Sequence, residues 1–181
     1  MCGSAGRRMR RPDTYDPPMP TAITFTDAVL AVHIMAIVVA FGVTFAYPVI
    51  FAVVEKADKR ALPAIYRAEL AVGHRIVNPG LAVALLAGIY LASKEHVWGD
   101  FYVQWGVAAV VVLGALGGMF FTPIERKLVE LSERDVKAAG EGEVTMSQEY
   151  QDAAKRLAVV GTLSSLLVLV TIFFMATHLG A

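Results

Sequence analysis

The stretch VHIMAIVVAFGVTFAYPVIF, residues 32–51, decides the fold. It is almost entirely hydrocarbon, interrupted by His33 and Thr44. The apolar run extends over residues 28–54. That exceeds the roughly 20 apolar residues a helix needs to cross a hydrocarbon core. A helix in lipid satisfies its own backbone hydrogen bonds, so helix is the expected form. Three more blocks follow the same rule. They are 76–92, with Asn78 near its start, 101–121, with Gln104, and 157–177, with Thr162, Ser164, Ser165 and Thr171. The block 76–92 is short alone, and the helix-compatible residues 64–75 extend it.

Composition agrees with a membrane protein. The 181 residues are 56% hydrophobic and 18% charged, and the charges cluster between the apolar blocks. Lys plus Arg equals Asp plus Glu at 16 each, so no nucleic-acid partner is expected. Cys2 stands alone, which excludes an internal disulfide. Residues 1–22 include GRRMRRPDTYDPPMP, rich in Arg and Pro, and are expected to form a disordered N-terminal arm. No signal-peptide core lies near the start, and Met9 is an alternative start to Met1. The expected fold is all-α, a four-transmembrane-helix up-down bundle over residues 23–181. Its helices are expected at about 26–55, 64–93, 101–138 and 146–178.

Basic residues set the expected orientation. Residues 55–75 hold five Lys and Arg, residues 122–156 hold six, and the second linker holds only Lys94. Positive residues favour the cytoplasmic side. Linkers one and three are therefore expected on the cytoplasmic side of a bacterial inner (plasma) membrane, and both termini outside. Tyr90, Trp98, Tyr102 and Trp105 cluster at the second linker, as interfacial aromatic anchors do. In IERKLVELSERDVKAA, residues 124–139, Ile124, Leu128, Leu131 and Val136 recur at helical spacing. The third helix is expected to continue past the membrane surface as an amphipathic extension, solvated or docked on a partner.

Helical geometry sorts the polar residues into stripes. The first helix aligns His33, Ala40, Thr44 and Tyr47, with a kink expected at Pro48. The second aligns Arg67, His74 and Asn78, continuing to Leu85 and Gly88. The third aligns Ala108, Ala115, Gly118, Thr122 and Glu125, and the fourth Ser164, Thr171, Met175 and His178. Such stripes turn from lipid toward the bundle interior. The spacings Gly114 with Gly118 and Gly161 with Ser165 suit close helix packing, inside the chain or in a homo-oligomer.

In the expected orientation His33, His96 and His178 gather in the outer half, beside Met175. A haem b between helices, ligated by His33 with Met175 or His178, is one reading. A metal held by His33, His96 and His178 is its alternative. The plainer reading is an interhelical hydrogen bond from His33. On the cytoplasmic side His74, Arg75, Asn78 and Glu125 form a second polar group, either interfacial or a proton or anion site.

The stretches HIMAIVVAFGVTFAYP and GHRIVNPGLAVALLAGIYLAS carry a resemblance. They resemble small bacterial four-helix integral membrane proteins of unknown function. More distantly they are similar to the copper-resistance-D and protoporphyrinogen-oxidase-J types of membrane bundle. The matching positions are His33, Gly42, Tyr47 with Pro48, Arg75, Pro79 and Gly88, all within residues 30–93. The resemblance implies the bundle architecture and, for the oxidase type, a haem with His33 as first ligand. Helix three has Gln104 and Trp105 and then no His or Lys within its apolar run, so no enzyme is assigned.

No catalytic constellation is visible. The first functional reading is a membrane protein that holds haem b or a metal in its outer half. A haem-dependent membrane oxidoreductase is its only enzymatic form. The second is a non-catalytic scaffold or subunit of a larger membrane complex. The third is a small transporter, for which Asn78, Pro79 and Gly80 mark a point of local unwinding.

Overall fold

The computed structural model describes residues 23–178 and 180, and the expected N-terminal arm lies outside them. Among the described residues the only regular structure is helical. Four long helices make up most of the described residues: α1 (Phe25–Ala57), α2 (Lys59–Lys94), α3 (Phe101–Ala139) and α4 (Gln148–Thr177). Each is long and apolar enough to cross a membrane. Residue 58 alone separates α1 from α2, so these two helices fold back on each other directly. We call the end carrying residue 58 and the linker 140–147 the near end, and the end carrying residues 95–100 the far end.

Caps explain the helix starts. Thr24 and Asp27 form a capping box, with the Asp27 amide donating to Thr24 Oγ1 at 3.2 Å and the Thr24 amide donating to the Asp27 carboxylate at 2.9 Å. Asp58 accepts from the Arg60 amide at 2.9 Å and starts α2 at Lys59, earlier than the expected residue 64. The Ser147 hydroxyl accepts from the Tyr150 amide at 3.3 Å. The Ser147 amide donates to Asp135 at 2.8 Å, which ties the start of α4 to α3.

Three helices carry an irregular turn just before a proline. A tight 3-10 turn, Val43–Phe45, precedes Pro48 in α1. Wide π turns, Gly73–Val77 and Gly117–Phe121, precede Pro79 in α2 and Pro123 in α3. A proline donates no amide hydrogen, and its ring clashes with the carbonyl four residues back. Those carbonyls belong to Thr44, Arg75 and Met119, and each lies inside its irregular turn. The expected kink at Pro48 and the expected unwinding at Pro79 therefore take the form of altered turns within continuous helices.

The two ends are packed differently. Towards the far end α1 and α2 meet through small residues: Ala36, Ala40, Gly80, Ala84, Ala87 and Gly88. A Cβ on Gly80 would stand 2.9 Å from Ala40 Cβ, so the backbones touch only because Gly80 has none. The near end holds a core of large side chains. Leu62 and Tyr66 of α2, Leu128 and Leu131 of α3, Val144 and Met146 of the linker, and Tyr150, Ala153 and Leu157 of α4 form it. The apolar face of the α3 extension is thus buried within the chain. Tyr66 and Tyr150 join their hydroxyls at 3.0 Å inside this core.

Large apolar side chains elsewhere point outward. Val38, Leu86, Val111 and Leu163 are among those most exposed. α1 and α4 meet thinly, in a small cluster of Ala40, Phe41 and Val168. Beyond the tight turn, residues 47–57 of α1 bury no side chain fully.

Gly80→Ala should cost about 1–3 kcal/mol, since α1 must move to admit the methyl group. Gly42→Ala should be neutral or stabilising, because a Cβ there meets nothing within 4 Å. Thermal unfolding of the two variants in one detergent checks the pair, and equal midpoints would refute it.

Candidate functional site

A cavity of about 430 Å³ opens where the far-end seams give way to the near-end core. That volume lies in the range of small-molecule sites. All four helices line it. Phe41, Leu81, Leu113 and Val168 bound it toward the middle of the bundle, and Leu62 and Tyr150 toward the near end. The three irregular turns all border it, through Thr44, through Gly73, His74 and Val77, and through Gly117 and Phe121.

The polar lining divides into satisfied and unsatisfied groups. Thr44 Oγ1 donates to the Phe41 carbonyl at 2.7 Å. Thr122 Oγ1 donates to the Gly117 carbonyl at 2.9 Å, five residues back across the π turn. Tyr47 Oη, Glu69 Oε2 and Ser164 Oγ are buried with no protein partner. The Glu125 side chain takes no protein hydrogen bond either, and the residue is only 8% exposed. Buried polar atoms are nearly always paired with protein, water or ligand, so the three orphaned atoms around one space make it the candidate site.

The ion pairs lie outside the cavity. Arg67 pairs with Glu133, Lys127 with Glu149 at 2.9 Å, and Arg134 with Asp135 at 3.2 Å and Glu149 at 3.4 Å. They knit the near end together across α2, α3 and α4. Arg60 adds a hydrogen bond to the Gly142 carbonyl at 2.6 Å. Glu69 and Glu125 are in none of these pairs.

The structure redistributes the polar stripes. On α3 the residues facing the cavity are Gly114, Gly117, Thr122 and Glu125, where uniform spacing puts Ala115 and Gly118 with the last two. The π turn accommodates one residue more than an α turn, so the face before it slips by one position. On α2, Arg67 faces outward to Glu133, while Tyr66, Glu69, Gly73 and Asn78 face the cavity. Glu69 was missed by the stripe for this reason. Its retrospective signal is the i, i+4, i+7, i+11 series of Leu62, Tyr66, Glu69 and Gly73.

The other expected site residues are spread over separate seams. His33 lies between α1 and α2, and its Nδ1–H donates to the Ala84 carbonyl at 2.8 Å. Its ring packs where a Cβ on Gly88 would stand, 3.2 Å from Cε1. Met175 lies between α4 and α3, with its methyl over Gly106. His178 ends α4 in a left-handed conformation and stands edge-on to Tyr102 at 5.1 Å. His96 is exposed in the turn after α2. None of the four lines the cavity. Among the described residues no three His, Cys, Asp or Glu side chains gather as a metal set.

The small-residue spacings divide in the same way. Gly114, Gly161 and Ser165 line the cavity, and a Cβ on Gly118 or Gly161 would meet nothing within 4 Å. The close contacts lie at Gly80, Gly88 and Gly106 instead. Of the near-end polar group, His74, Asn78 and Glu125 reach the cavity. Arg75 lies with Arg126 in a neighbouring surface groove that shares His74 and Leu70 with it.

Compared with protein-family models, curated proteins and solved structures, the chain matches none.

His33→Ala should lower stability by about 0.6–2 kcal/mol, the range of an interhelical hydrogen bond in a membrane bundle. Unfolding in mixed micelles gives the loss. A visible absorption spectrum of the same preparations tests the haem reading, since a Soret band present in the wild type and lost in the variant would make His33 a ligand.

Proposed function

We propose that this chain is an integral membrane protein whose four helices span the bilayer and whose cavity binds a small amphiphilic molecule taken from the lipid phase. The single observation that carries the reading is the cavity, bounded by Phe41, Leu81, Leu113 and Val168 toward mid-bundle and lined by Glu55, Glu69 and Glu125 toward the near end. An amphiphile has the same two-part chemistry. The exposed apolar faces of all four helices match a hydrocarbon surround. The near end carries the linkers rich in Lys and Arg, which favours the cytoplasmic side for it. The polar part of the cavity then sits near the cytoplasmic interface, and the apolar part reaches toward the bilayer centre.

The way in from lipid is the thin seam between α1 and α4. Residues 47–57 of α1 bury no side chain fully, although Phe51 and Val54 pack against the near-end core, and a tightened turn joins them to the rest of α1. A segment with few buried contacts costs little to displace. Irregular turns around a mid-membrane site are also the construction used by small transporters, and carriage of the bound molecule follows naturally from this site.

Photolabelling tests the reading. A diazirine derivative of 4-phenylbutanol, irradiated with the protein in dodecyl maltoside, should label α1 and α4 at cavity residues such as Phe51 and Ser165. Gly161→Phe should suppress that labelling about tenfold or more by filling the space. Labelling spread evenly over the exposed faces, unaffected by Gly161→Phe, would overturn it. In whole cells the chain should pellet with membranes and resist carbonate extraction, and recovery in the supernatant would remove the premise.

A further inference from the structure

The charge of the cavity wall is one-sided. Glu55, Glu69 and Glu125 line it, and among the described residues no lysine or arginine does. Glu55 is exposed and lies at the mouth, whereas Glu125 is more than nine-tenths buried with no protein partner. Glu69 presents a buried oxygen that no protein donor reaches. An isolated carboxylate in a low-dielectric site is costly unless a cation or several donors face it. Arg67 pairs with Glu133 on the surface, and Arg75 and Arg126 line the neighbouring groove, not this cavity. Among the described residues His74 is the only basic side chain on the wall.

Aromatic rings stand beside the carboxylates. Phe51 and Tyr66 pack with their ring centroids 4.6 Å apart and their planes tilted by 31°, and Tyr47 follows Phe51 at 6.5 Å. Ring faces attract cations, and organic ammonium groups are the usual guests of such surfaces. The wall lacks what an inorganic cation needs. A divalent ion takes about six or more oxygen ligands, and no set of three acidic or histidine side chains comes together among the described residues. Anionic amphiphiles meet repulsion from three glutamates. Neutral ones leave the carboxylates without a counter-charge.

We propose that the molecule bound in the cavity is an organic ammonium, with its charged nitrogen between Glu69 and Glu125 and its apolar remainder directed toward Phe41 and Leu113. This inference rests on the amphiphile-binding reading above and adds the charge of the ligand. The ammonium hydrogens donate to the two carboxylates, with the hydroxyl of Tyr47 available as a further acceptor. The shared chemistry belongs both to free alkyl- or arylalkylamines and to the headgroup of an aminophospholipid.

Competition against the neutral photoprobe, in the uncharged detergent dodecyl maltoside, tests the charge. The competitors are 4-phenylbutylamine, 4-phenylbutanol and 4-phenylbutyrate, which share one apolar part. The amine should displace the probe at about one tenth the concentration of the alcohol, and the carboxylate least well. Glu125→Gln should reduce the amine's advantage, and Glu69→Gln combined with Glu125→Gln should abolish it. The alcohol should still displace the probe in these variants, which shows that the cavity is still formed. Glu130→Gln, on the exposed side of α3, should change nothing. Dioleoylphosphatidylethanolamine is the fourth competitor: displacement with the same glutamate dependence identifies a lipid headgroup as the ligand, and its failure beside a successful amine identifies a free amine. An amine no better than the alcohol, or an advantage that survives the double substitution, overturns the inference while leaving amphiphile binding intact. Absence of any probe labelling in the cavity overturns both.

Discussion

A proline inside a helix removes one hydrogen bond and pushes away the carbonyl four residues before it. Pro48, Pro79 and Pro123 impose this constraint on three of the four helices, and the rest of the site depends on how it is met. In α1 the preceding turn tightens, and in α2 and α3 it widens. None of the helices ends there, because each is held on both sides of the altered turn by packing or by its own backbone ladder. The consequences converge. All three altered turns border one cavity, and each changes the direction or face presented below it.

The cavity marks the boundary between two ways of holding helices together. Toward the far end, α1 and α2 approach through alanine and glycine until a single extra methyl at Gly80 would collide with Ala40. That contact gains from dispersion and close backbone approach, which still operate when the surrounding medium is as apolar as the helix itself. Toward the near end, leucines, tyrosines and a methionine build a core of the kind found in water-soluble proteins, with the linker 140–147 folded over it through Val144 and Met146. Small seams set a short interhelical distance and large cores set a long one. Where one gives way to the other, space opens between the helices.

Charge is divided along the same boundary. The near-end surface pairs its acids with bases across helices, through Arg67, Lys127 and Arg134. Pairs as exposed as these contribute little individually, and their role is to position the linker and the α3 extension. The acids turned inward have no such partners. Glu125 stays buried because α3 is held in register by Leu128 and Leu131, one and two turns later on the neighbouring face. The tension between a well-packed helix and an unpaired carboxylate on it is the kind of local inconsistency that marks a site in an otherwise consistent structure.

Apolar length and the four helices were legible in the sequence, because whether a segment can cross hydrocarbon is a property of its own twenty or so residues. The interhelical hydrogen bond of His33 was legible as one of several readings, since an imidazole in such a segment must find a partner. The slip from Gly118 to Gly117, the outward turn of Arg67 and the inward turn of Glu69 were not legible. Each depends on a π turn whose position is set by packing against neighbouring helices. The sequence by itself determined which segments are helical and apolar; only the tertiary structure decided which polar side chains share a space. The physical reason is angular: one residue inserted into a helix rotates everything beyond it by about 100°, enough to exchange a cavity face for an outer one.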